Sequence, residues 1–259
     1  MIRSLAEKIS RRVVLRRRLS QEFGRRPFYA SPDSALSLLK PGLSVFDDLA
    51  DVCRQLVKPG DCSWDLGGNL GIFSLMAAHQ AGSDAVTVCV EPDPFLASLI
   101  QKTTQLPENC DRAIHTFCSA VSDKQGIAEF LVADRGRSSN ALAETGARGQ
   151  AGGVRYRQYV PTLTLDSMLD SFPAPDILKI DVEGAEIMVL KGGRRLLEEV
   201  RPKLYIEVGE DEADEVTATL RSYGYDLFAM SDLESPLDSC VFNTLAVPSE
   251  ERASLVRAA

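Results

Sequence analysis

Residues 62 to 74 read Cys-Ser-Trp-Asp-Leu-Gly-Gly-Asn-Leu-Gly-Ile-Phe-Ser. An apolar run that ends at Asp65 leads into a loop with glycines at positions 67, 68 and 71, and an apolar helical segment begins at Leu70. A strand, a Gly-rich turn and a helix in this order are typical of the start of a nucleotide-binding βαβ unit. The stretch therefore predicts an open α/β sheet with a ligand site at its first turn.

The Gly-rich turn lacks the signatures of the common phosphate-binding loops. A G-x-G-x-x-G pattern counted from Gly67 would need glycines where Asn69 and Ile72 stand, and no Gly-Lys-Ser/Thr follows. Asp65 lies where the loop leaves the strand, so its carboxylate would repel a pyrophosphate but attract an ammonium or a sulfonium group. S-adenosylmethionine carries both of these cations and no phosphate, and the turn favours this cofactor. The alternative is that Asp65 only caps the following helix.

The chain has 259 residues, 44% of them hydrophobic, which suits one large globular domain with an extension. We expect a basic N-terminal helical extension over residues 1–60 and an S-adenosylmethionine-binding domain over residues 61–259. Residues 1–26 hold nine Lys/Arg and two Glu, a net charge of +7, so the remainder carries −15 against a total of −8. An acidic body argues against nucleic acid as the main partner.

The six cysteines show no metal-ligand spacing, and the chain has only two histidines, so no metal site is predicted. Four of the cysteines lie in apolar strand-like runs, where a thiol acts as a small hydrophobic group. No apolar run approaches membrane-spanning length, and the Arg-rich start lacks the apolar stretch of a secretory signal. We expect reduced cysteines in a cytoplasmic protein.

Residues 2–19 place Ile2, Leu5, Ile9 and Val13 at helical spacing with basic residues between them. The pattern predicts an amphipathic helix docked on the body or on a second copy of the chain. A basic helix on an anionic membrane surface and a mitochondrial-type targeting helix are the alternatives.

From residue 62 onward, predicted strands and helices alternate, which indicates a mainly parallel sheet. The predicted strands cover residues 62–66, 85–90, 114–121, 177–181, 203–208, 226–230 and 240–247, with a further strand at 127–132. The predicted helices lie within 31–58 and at 70–81, from 94 onward, and at 166–171, 184–199 and 211–223. The last strand follows a turn over 231–239 with no helix between, which predicts a terminal hairpin with one antiparallel strand. Residues 134–153 contain five glycines and are predicted to form a mobile surface loop, with a lid function suspected.

Residues 62–247 resemble the FkbM-type methyltransferases. The resemblance is carried by Asp65-Leu66-Gly67-Gly68-Asn69-Leu70-Gly71, by Glu91-Pro92-Asp93, and most specifically by Leu178-Lys179-Ile180-Asp181-Val182-Glu183-Gly184-Ala185-Glu186. Gly68 departs from the family pattern, where Ala is usual, and we expect it to loosen the turn slightly without abolishing binding. The resemblance implies a Rossmann-like class I methyltransferase with a seven-stranded sheet. It also implies S-adenosylmethionine-dependent O-methylation, and we expect the acceptor to be a hydroxyl of a small molecule, sugar or glycoconjugate.

The acids that end four predicted strands should face one rim of the sheet, where open α/β sheets bind their ligands. Of these, Glu91 is expected to accept the two ribose hydroxyls, with helix capping as its alternative. Asp93 either assists or only caps, and the end of the third strand either approaches the adenine or belongs to the core. The residues predicted to bind the cofactor are Asp65, Gly67, Gly68, Asn69, Gly71, Glu91, Asp93, Ser119 and Ala120.

A hydroxyl acceptor must lose a proton, so a base is expected beside the methyl group. Neither histidine is well placed, since His79 lies near a helix end and His115 near the start of a strand. By elimination the base is a carboxylate, and we predict Asp181 and Glu183 as catalytic residues with Glu207 in support. Clustered carboxylates could instead hold a divalent cation, or Glu183 could cap the next helix together with Glu186.

Arg135, Arg137 and the Arg155-Tyr156-Arg157 group flank the predicted loop. They could hold an anionic or sugar acceptor, or they could form a solvated face of the loop. A second hypothesis from another class is a catalytically silent cofactor-binding subunit of an assembly. A nicotinamide oxidoreductase is a third, disfavoured by the broken dinucleotide pattern.

Overall fold

The computed structural model describes residues 11, 13–34, 38, 46–134, 136–145 and 153–252. Its first elements are two short antiparallel strands, β1 (Leu15–Arg18) and β2 (Pro27–Ala30). The side chains of β1 alternate between half-buried and exposed, as in a strand with one face on the body. The helix predicted over 2–19 is therefore wrong for residues 15–18, because the Arg-rich run after Val13 takes its backbone partners from β2. Residues 2–10 lie outside the described part of the chain.

The remaining elements alternate along the chain. The strands are β3 (Ser63–Leu66), β4 (Val86–Val90), β5 (Ala113–Phe117), β6 (Ala120–Val121), β7 (Gly126–Ala133), β8 (Ala141–Leu142), β9 (Val154–Leu163), β10 (Ile177–Ile180), β11 (Lys203–Glu207), β12 (Tyr225–Ala229), β13 (Asp232–Pro236) and β14 (Asn243–Pro248). The helices are α1 (Asp47–Leu56), α2 (Ile72–Ala81), α3 (Pro94–Thr104), α4 (Leu165–Leu169), α5 (Glu186–Lys191) and α6 (Ala213–Ser222). A π-helical turn over Leu196–Val200 follows α5 and completes the region predicted as one helix.

The larger sheet has eight strands in the order β13-β12-β14-β11-β10-β3-β4-β5. The strands from β11 to β5 run parallel, and β14 is antiparallel to both of its neighbours. The predicted Rossmann-like α/β fold with a mainly parallel sheet and a terminal hairpin is confirmed. Two details differ: β14 inserts between β11 and β12, and β13 adds an eighth strand where the sequence predicts a turn. Most of β13 is exposed at the sheet edge, so it carries no apolar alternation that could reveal it.

A second sheet with the order β6-β9-β7-β8 lies beside the first. The predicted strand over 114–121 is divided between the two sheets, since β5 ends at Phe117 and β6 begins at Ala120. The predicted loop over 134–153 is ordered where it is described before residue 146, because Ala141 and Leu142 pair with β7 and are buried. The prediction of a surface loop is thus wrong for this part, and residues 135 and 146–152 lie outside the described residues.

The core lies on both faces of the large sheet. Trp64 of β3 is fully buried on one face, where its indole N–H donates to the carbonyl of Pro173 at 3.1 Å. On the other face, α2 packs against α1 and against Phe23 and Phe28 of the N-terminal segment. Residues before 60 therefore share a hydrophobic core with the sheet, and the predicted division of the chain at residue 60 stays a prediction.

All six cysteines are unpaired. None of the helices in the described part of the chain has the length and apolar character to cross a bilayer. The carboxyl ends of β3, β4, β10 and β11 meet at one rim of the large sheet, and the loop after β3 lies at its centre.

Candidate functional site

The loop after β3 is held against the two neighbouring strands. The backbone N–H groups of Gly67 and Gly68 donate to the carbonyl of Val90 at 2.9 and 3.1 Å. Gly67 has a φ of +72°, and a Cβ there would lie 1.7 Å from the carbonyl oxygen of Asp181, so only glycine fits. Asn69 has a φ of +52°, in the left-handed region that Asn tolerates better than most residues. The loop therefore presents its backbone directly to the crevice between β4 and β10.

A cavity that is open to solvent lies beside this loop at the end of β4, and we call it the Glu91 cavity. Glu91 is only 5% exposed, and its two oxygens accept from the N–H groups of Asn69 and Asp93, each at 2.8 Å. Burial raises the pKa of Glu91 to about 8, against the lowering effect of these two N–H groups. The lining includes Gly67, Asn69, Glu91, Ser119, Ala120, Phe130, Arg137, Ser138, Leu142, Asp181 and Glu183.

A second open cavity lies on the other side of the loop, and we call it the Glu207 cavity. Burial, together with the charges of Asp181 and Asp48, raises the pKa of Glu207 to about 7, whereas Lys179 opposes the rise. The lining includes Ser34, Leu38, Phe46, Asp48, Leu49, Gly67, Gly68, Asn69, Phe73, Ser138, Lys179, Asp181 and Glu207.

The Glu91 cavity and the Glu207 cavity adjoin each other. Both are lined by Gly67, Asn69, Ser138 and Asp181. Asp181 follows β10 directly and contributes to both walls, so a ligand in one cavity and a ligand in the other would meet beside its carboxylate. The crevice is therefore built for two neighbouring ligands or for one long ligand.

A buried lysine connects the loop to the two central strands. Lys179 is 3% exposed, and its Nζ lies 3.3 Å from each of three oxygens: Oδ1 of Asp65, Oδ2 of Asp181 and the carbonyl of Gly67. Burial lowers the pKa of Lys179, but the carboxylates of Asp181, Asp65 and Glu207 outweigh burial and raise it above its usual value. The lysine therefore stays charged and neutralises part of the acidic rim.

A second buried ion network closes the far side of the Glu91 cavity. Arg137 pairs with Asp93, donates to Asp33 at 2.7 Å and stacks its guanidinium 4.7 Å from the ring centre of Phe95. Arg155 forms two hydrogen bonds with the same Asp33, at 2.7 and 2.9 Å. Arg137 and Arg155 therefore tie the segment before β8 and the start of β9 to Asp33 in the turn after β2.

Within the described residues, no group of three or more His, Cys, Asp or Glu side chains is arranged to hold a metal ion. In the Glu207 cavity, Asp181 pairs with Lys179, whose charge also opposes the rise in the pKa of Glu207.

Known proteins share features of this sequence and fold. The sequence model of the methyltransferase FkbM domain matches residues 65–227, which is more than half of the chain. The chain belongs to the FkbM methyltransferase family. A curated relative, the hexuronic acid methyltransferase AglP of Haloferax volcanii, is 28% identical over 173 residues, which cover 63% of this chain and 64% of the relative. The chain thus spans less than two thirds of the length of that relative.

Solved structures with related architecture are more distant in sequence. An FkbM methyltransferase from Methylobacillus flagellatus KT is 16% identical, covers 72% of this chain and 46% of its own, and has a TM-score of 0.40. A SAM-dependent O-methyltransferase from Thermotoga maritima is 14% identical, covers 85% of this chain and 73% of its own, and has a TM-score of 0.46. The fold assignment rests on the strand order of the large sheet.

The structure of this FkbM-family chain brings most of the predicted cofactor residues to the Glu91 cavity. Gly67, Asn69, Glu91, Ser119 and Ala120 all line it. Ser119 turns its hydroxyl inward, however, and donates it to the carbonyl of Pro161 at 2.9 Å. Its predicted contact with the adenine would therefore have to use another of its atoms.

Other residues predicted to bind the cofactor lie behind the loop, outside the two cavities. The carboxylate of Asp65 accepts from the N–H and the hydroxyl of Ser74 in α2, at 3.2 and 2.6 Å, and pairs with Lys179. It lines neither of the two cavities, so the helix-capping alternative describes the contact it makes. Asp93 caps α3 at the N–H of Phe95 and pairs with Arg137, and it lines neither cavity. Gly71 lies at the start of α2, behind the loop.

The three predicted catalytic carboxylates separate between the cavities. Asp181 lines both, Glu207 lines only the Glu207 cavity, and Glu183 lines only the Glu91 cavity. Glu186 accepts from the N–H of Gly184 at 3.1 Å, but this N–H precedes the N-cap Ala185. No side chain in the described part of the chain caps α5, so the capping alternative for Glu183 and Glu186 is wrong. Neither histidine lines these cavities: His79 accepts from Arg26 at 3.1 Å, and His115 is exposed on β5.

Sequence reasoning assigned no role to Asp48 and did not identify the ion-pair partners of Lys179 and Arg137. A lysine between Leu178 and Ile180 in an otherwise apolar strand is a signal for a buried, paired charge, and it was available in the sequence. Arg137 gave no such signal, because its partners Asp93 and Asp33 lie 44 and 104 residues away. The solvated-face alternative is wrong for Arg137, which is buried, and for Arg155, which is half-buried and paired with Asp33. A role of these arginines in holding an acceptor stays a prediction.

Gly68 offers the first test of the loop. A Cβ at this position would lie 2.3 Å from Sγ of Cys89, so Gly68→Ala is expected to destabilise the fold by about 1–3 kcal/mol, the usual cost of overpacking. Thermal unfolding measures the change. The double variant Gly68→Ala with Cys89→Ala removes the clash and is expected to recover most of the lost stability. If Gly68→Ala alone leaves the melting temperature unchanged, the close contact between residue 68 and Cys89 is contradicted.

Proposed function

We propose that this chain is an S-adenosylmethionine-dependent methyltransferase that methylates a hydroxyl of a sugar, a glycoconjugate or another small molecule. The observation that carries the proposal is the pair of adjoining cavities, which meet at Asp181 and are bounded by Glu91 on one side and Glu207 on the other. A methyl donor and an acceptor need this arrangement, because transfer requires both to be held side by side.

The Glu91 cavity fits the donor by its chemistry. Glu91 offers carboxylate oxygens to a ribose, and the backbone of Gly67 leaves no side chain between the loop and a ligand. Arg137, the one cationic side chain that lines this cavity among the described residues, already pairs with Asp93 and Asp33, which disfavours a phosphate there. When bound, S-adenosylmethionine supplies a methyl group on a positively charged sulfur. The carboxylate of Asp181, at the junction of the cavities, is the group that would face this positive charge.

The Glu207 cavity fits the acceptor. Glu207 is placed to accept the proton that an acceptor hydroxyl loses, and a pKa of about 7 matches a base that works near neutral pH. Asp181 is held by Lys179 at 3.3 Å and therefore has a fixed orientation. We assign Glu207 as the base and Asp181 as the residue that orients the acceptor. Glu183 lies on the donor side and contributes to that cavity instead.

The choice of a sugar as the acceptor draws on the relative from Haloferax volcanii, whose name describes methylation of a hexuronic acid. At 28% identity this relative supports a carbohydrate acceptor for the present chain without identifying it. Hydrogen-bonding side chains in the Glu207 cavity agree with a polyhydroxylated ligand.

The proposal is tested in two steps. Calorimetry with S-adenosylmethionine and with NAD measures which of them binds, and only the former is expected to bind. Isotopically labelled methyl donor is then incubated with the protein and cell extract of the organism that encodes it, and transfer to an acceptor is expected. Donor binding without any transfer would favour a catalytically silent subunit, and binding of NAD in place of the donor would overturn the proposal.

The variant Glu207→Gln tests the role of Glu207 as the base independently of donor binding. We expect kcat to fall by about a hundredfold or more, because a base contributes roughly 10²–10⁴ in rate, while donor affinity stays within twofold. In the wild-type protein, ionised Glu207 is the active form, so kcat should rise with pH up to about 7 and level off above it. A pH–rate profile that is unchanged in the variant would contradict this role.

A further inference from the structure

A third cavity, which we call the Phe242 cavity, adjoins the Glu207 cavity at Asp48. Asp48 lines both cavities. Tyr205 in the wall of the Phe242 cavity and Glu207 in the wall of the Glu207 cavity are two residues apart on β11, so their side chains leave the strand on the same face. The two cavities therefore lie end to end along the rim of the sheet.

Among the described residues that line the combined groove, most of the charged side chains are carboxylates. Asp48, Asp181 and Glu207 contribute carboxylates. The one cation that lines the Glu207 cavity among the described residues, Lys179, is already surrounded by oxygens at 3.3 Å. Tyr205 directs its hydroxyl to the side-chain oxygen of Asn243 at 3.0 Å. A ligand that suits this groove must itself donate hydrogen bonds, as hydroxyl and ammonium groups do, and an anionic ligand would be repelled.

The outer end of the groove carries an exposed aromatic ring on a fixed backbone. Phe242 is 60% exposed, and its neighbour Val241 is 41% exposed. The carbonyl of Phe242 accepts from the N–H of Val208 at 2.8 Å, directly after β11, which holds the residue in place beside the groove. An aromatic face next to carboxylates and an amide can cover the apolar C–H face of a sugar ring while the polar groups take its hydroxyls.

We infer that the Glu207 and Phe242 cavities form one acceptor groove, which binds two consecutive rings of an uncharged or amino-bearing glycoside and excludes uronates and phosphorylated sugars. The ring that receives the methyl group lies against Glu207, and the next ring stacks on Phe242. The inference rests on the proposed methyl transfer and narrows its substrate class. It also separates this chain from its relative in Haloferax volcanii, whose name specifies an acidic sugar.

The test uses the full chain with labelled methyl donor and cell extract of the organism that encodes it. The labelled product is passed over an anion exchanger and sized after glycosidase digestion. We expect a product that is not retained and that contains at least two sugar rings. A retained, anionic product would overturn the inference while leaving the proposed methyl transfer intact. Donor binding with no labelled product of any kind would remove the proposed transfer and, with it, this inference.

A second test compares the variant Phe242→Ala with a matched control, Tyr159→Ala. Tyr159 is also exposed, at 75%, but lies on β9 of the small sheet and lines none of the three cavities. For the purified acceptor, Phe242→Ala should raise KM about tenfold, as the loss of an aromatic anchor does, and Tyr159→Ala should stay within twofold. Equal KM values for the two variants would overturn the stacking role of Phe242.

Discussion

Replacing Lys179 with methionine is expected to destabilise the protein more than any other single change discussed here. The variant leaves Asp65 and Asp181 without the cation that lies 3.3 Å from each of them. Asp65 is fully buried, so its charge cannot be solvated in place of the lost ion pair. Breaking a buried pair in this way typically costs roughly 3–5 kcal/mol, and we expect a fall in melting temperature on the order of 10 °C.

The matched control is Lys191→Met. Lys191 pairs with Glu215 at 3.0 Å, but both side chains are more than half exposed. A pair of this kind contributes about 0–1 kcal/mol, so the control should melt close to the wild-type protein. Adding Asp65→Asn to Lys179→Met removes one of the stranded charges and should restore part of the lost stability. A Lys179→Met variant as stable as the control would show that the lysine does not neutralise the negative charge of the acidic rim.

The acids at the ends of the predicted strands indicated an acidic rim, but the sequence did not indicate the direction in which each side chain points. Glu91, Asp181 and Glu207 line the cavities as expected, whereas Asp65 turns back toward α2 and Lys179. The reason is the register between β3 and β10, in which Asp65 and Lys179 are direct neighbours. A sequence indicates where a strand ends, but the neighbour across the sheet is known only once the strands are paired.

Predictions from local sequence patterns were also wrong in segments whose structure depends on partners far away in the sequence. The helical spacing at the N-terminus gave no warning that residues 15–18 would pair with residues 27–30 as a hairpin. The five glycines of residues 134–153 suggested a mobile surface loop, but Arg137 and Asn140 are buried against Asp93. By contrast, the terminal antiparallel strand followed from a simple constraint, since a connection without a helix cannot join parallel neighbours.

Glu91→Gln is expected to have the largest effect on donor binding. Glutamine keeps the shape of the side chain, but its amide NH₂ would face one of the two backbone N–H groups, of Asn69 or Asp93, that now donate to the carboxylate at 2.8 Å. The variant also loses the charge that strengthens hydrogen bonds from ribose hydroxyls. Two bonds to a charged group contribute about 1.5–3 kcal/mol each, so we expect donor affinity to fall about a hundredfold or more by calorimetry.

The pH dependence of donor binding distinguishes this role from a purely structural one. Because burial raises the pKa of Glu91 to about 8, the free protein carries a protonated Glu91 at lower pH, whereas the bound form needs the carboxylate. Donor affinity should therefore increase as pH rises through about 8, by up to tenfold per pH unit below it, and this dependence should vanish in Glu91→Gln. Glu129→Gln, which changes a surface carboxylate paired with Arg157 at 3.0 Å, should retain both the wild-type affinity and its pH dependence. If Glu91→Gln instead lowers affinity equally at every pH and keeps the wild-type slope, Glu91 shapes the loop but does not hold the donor.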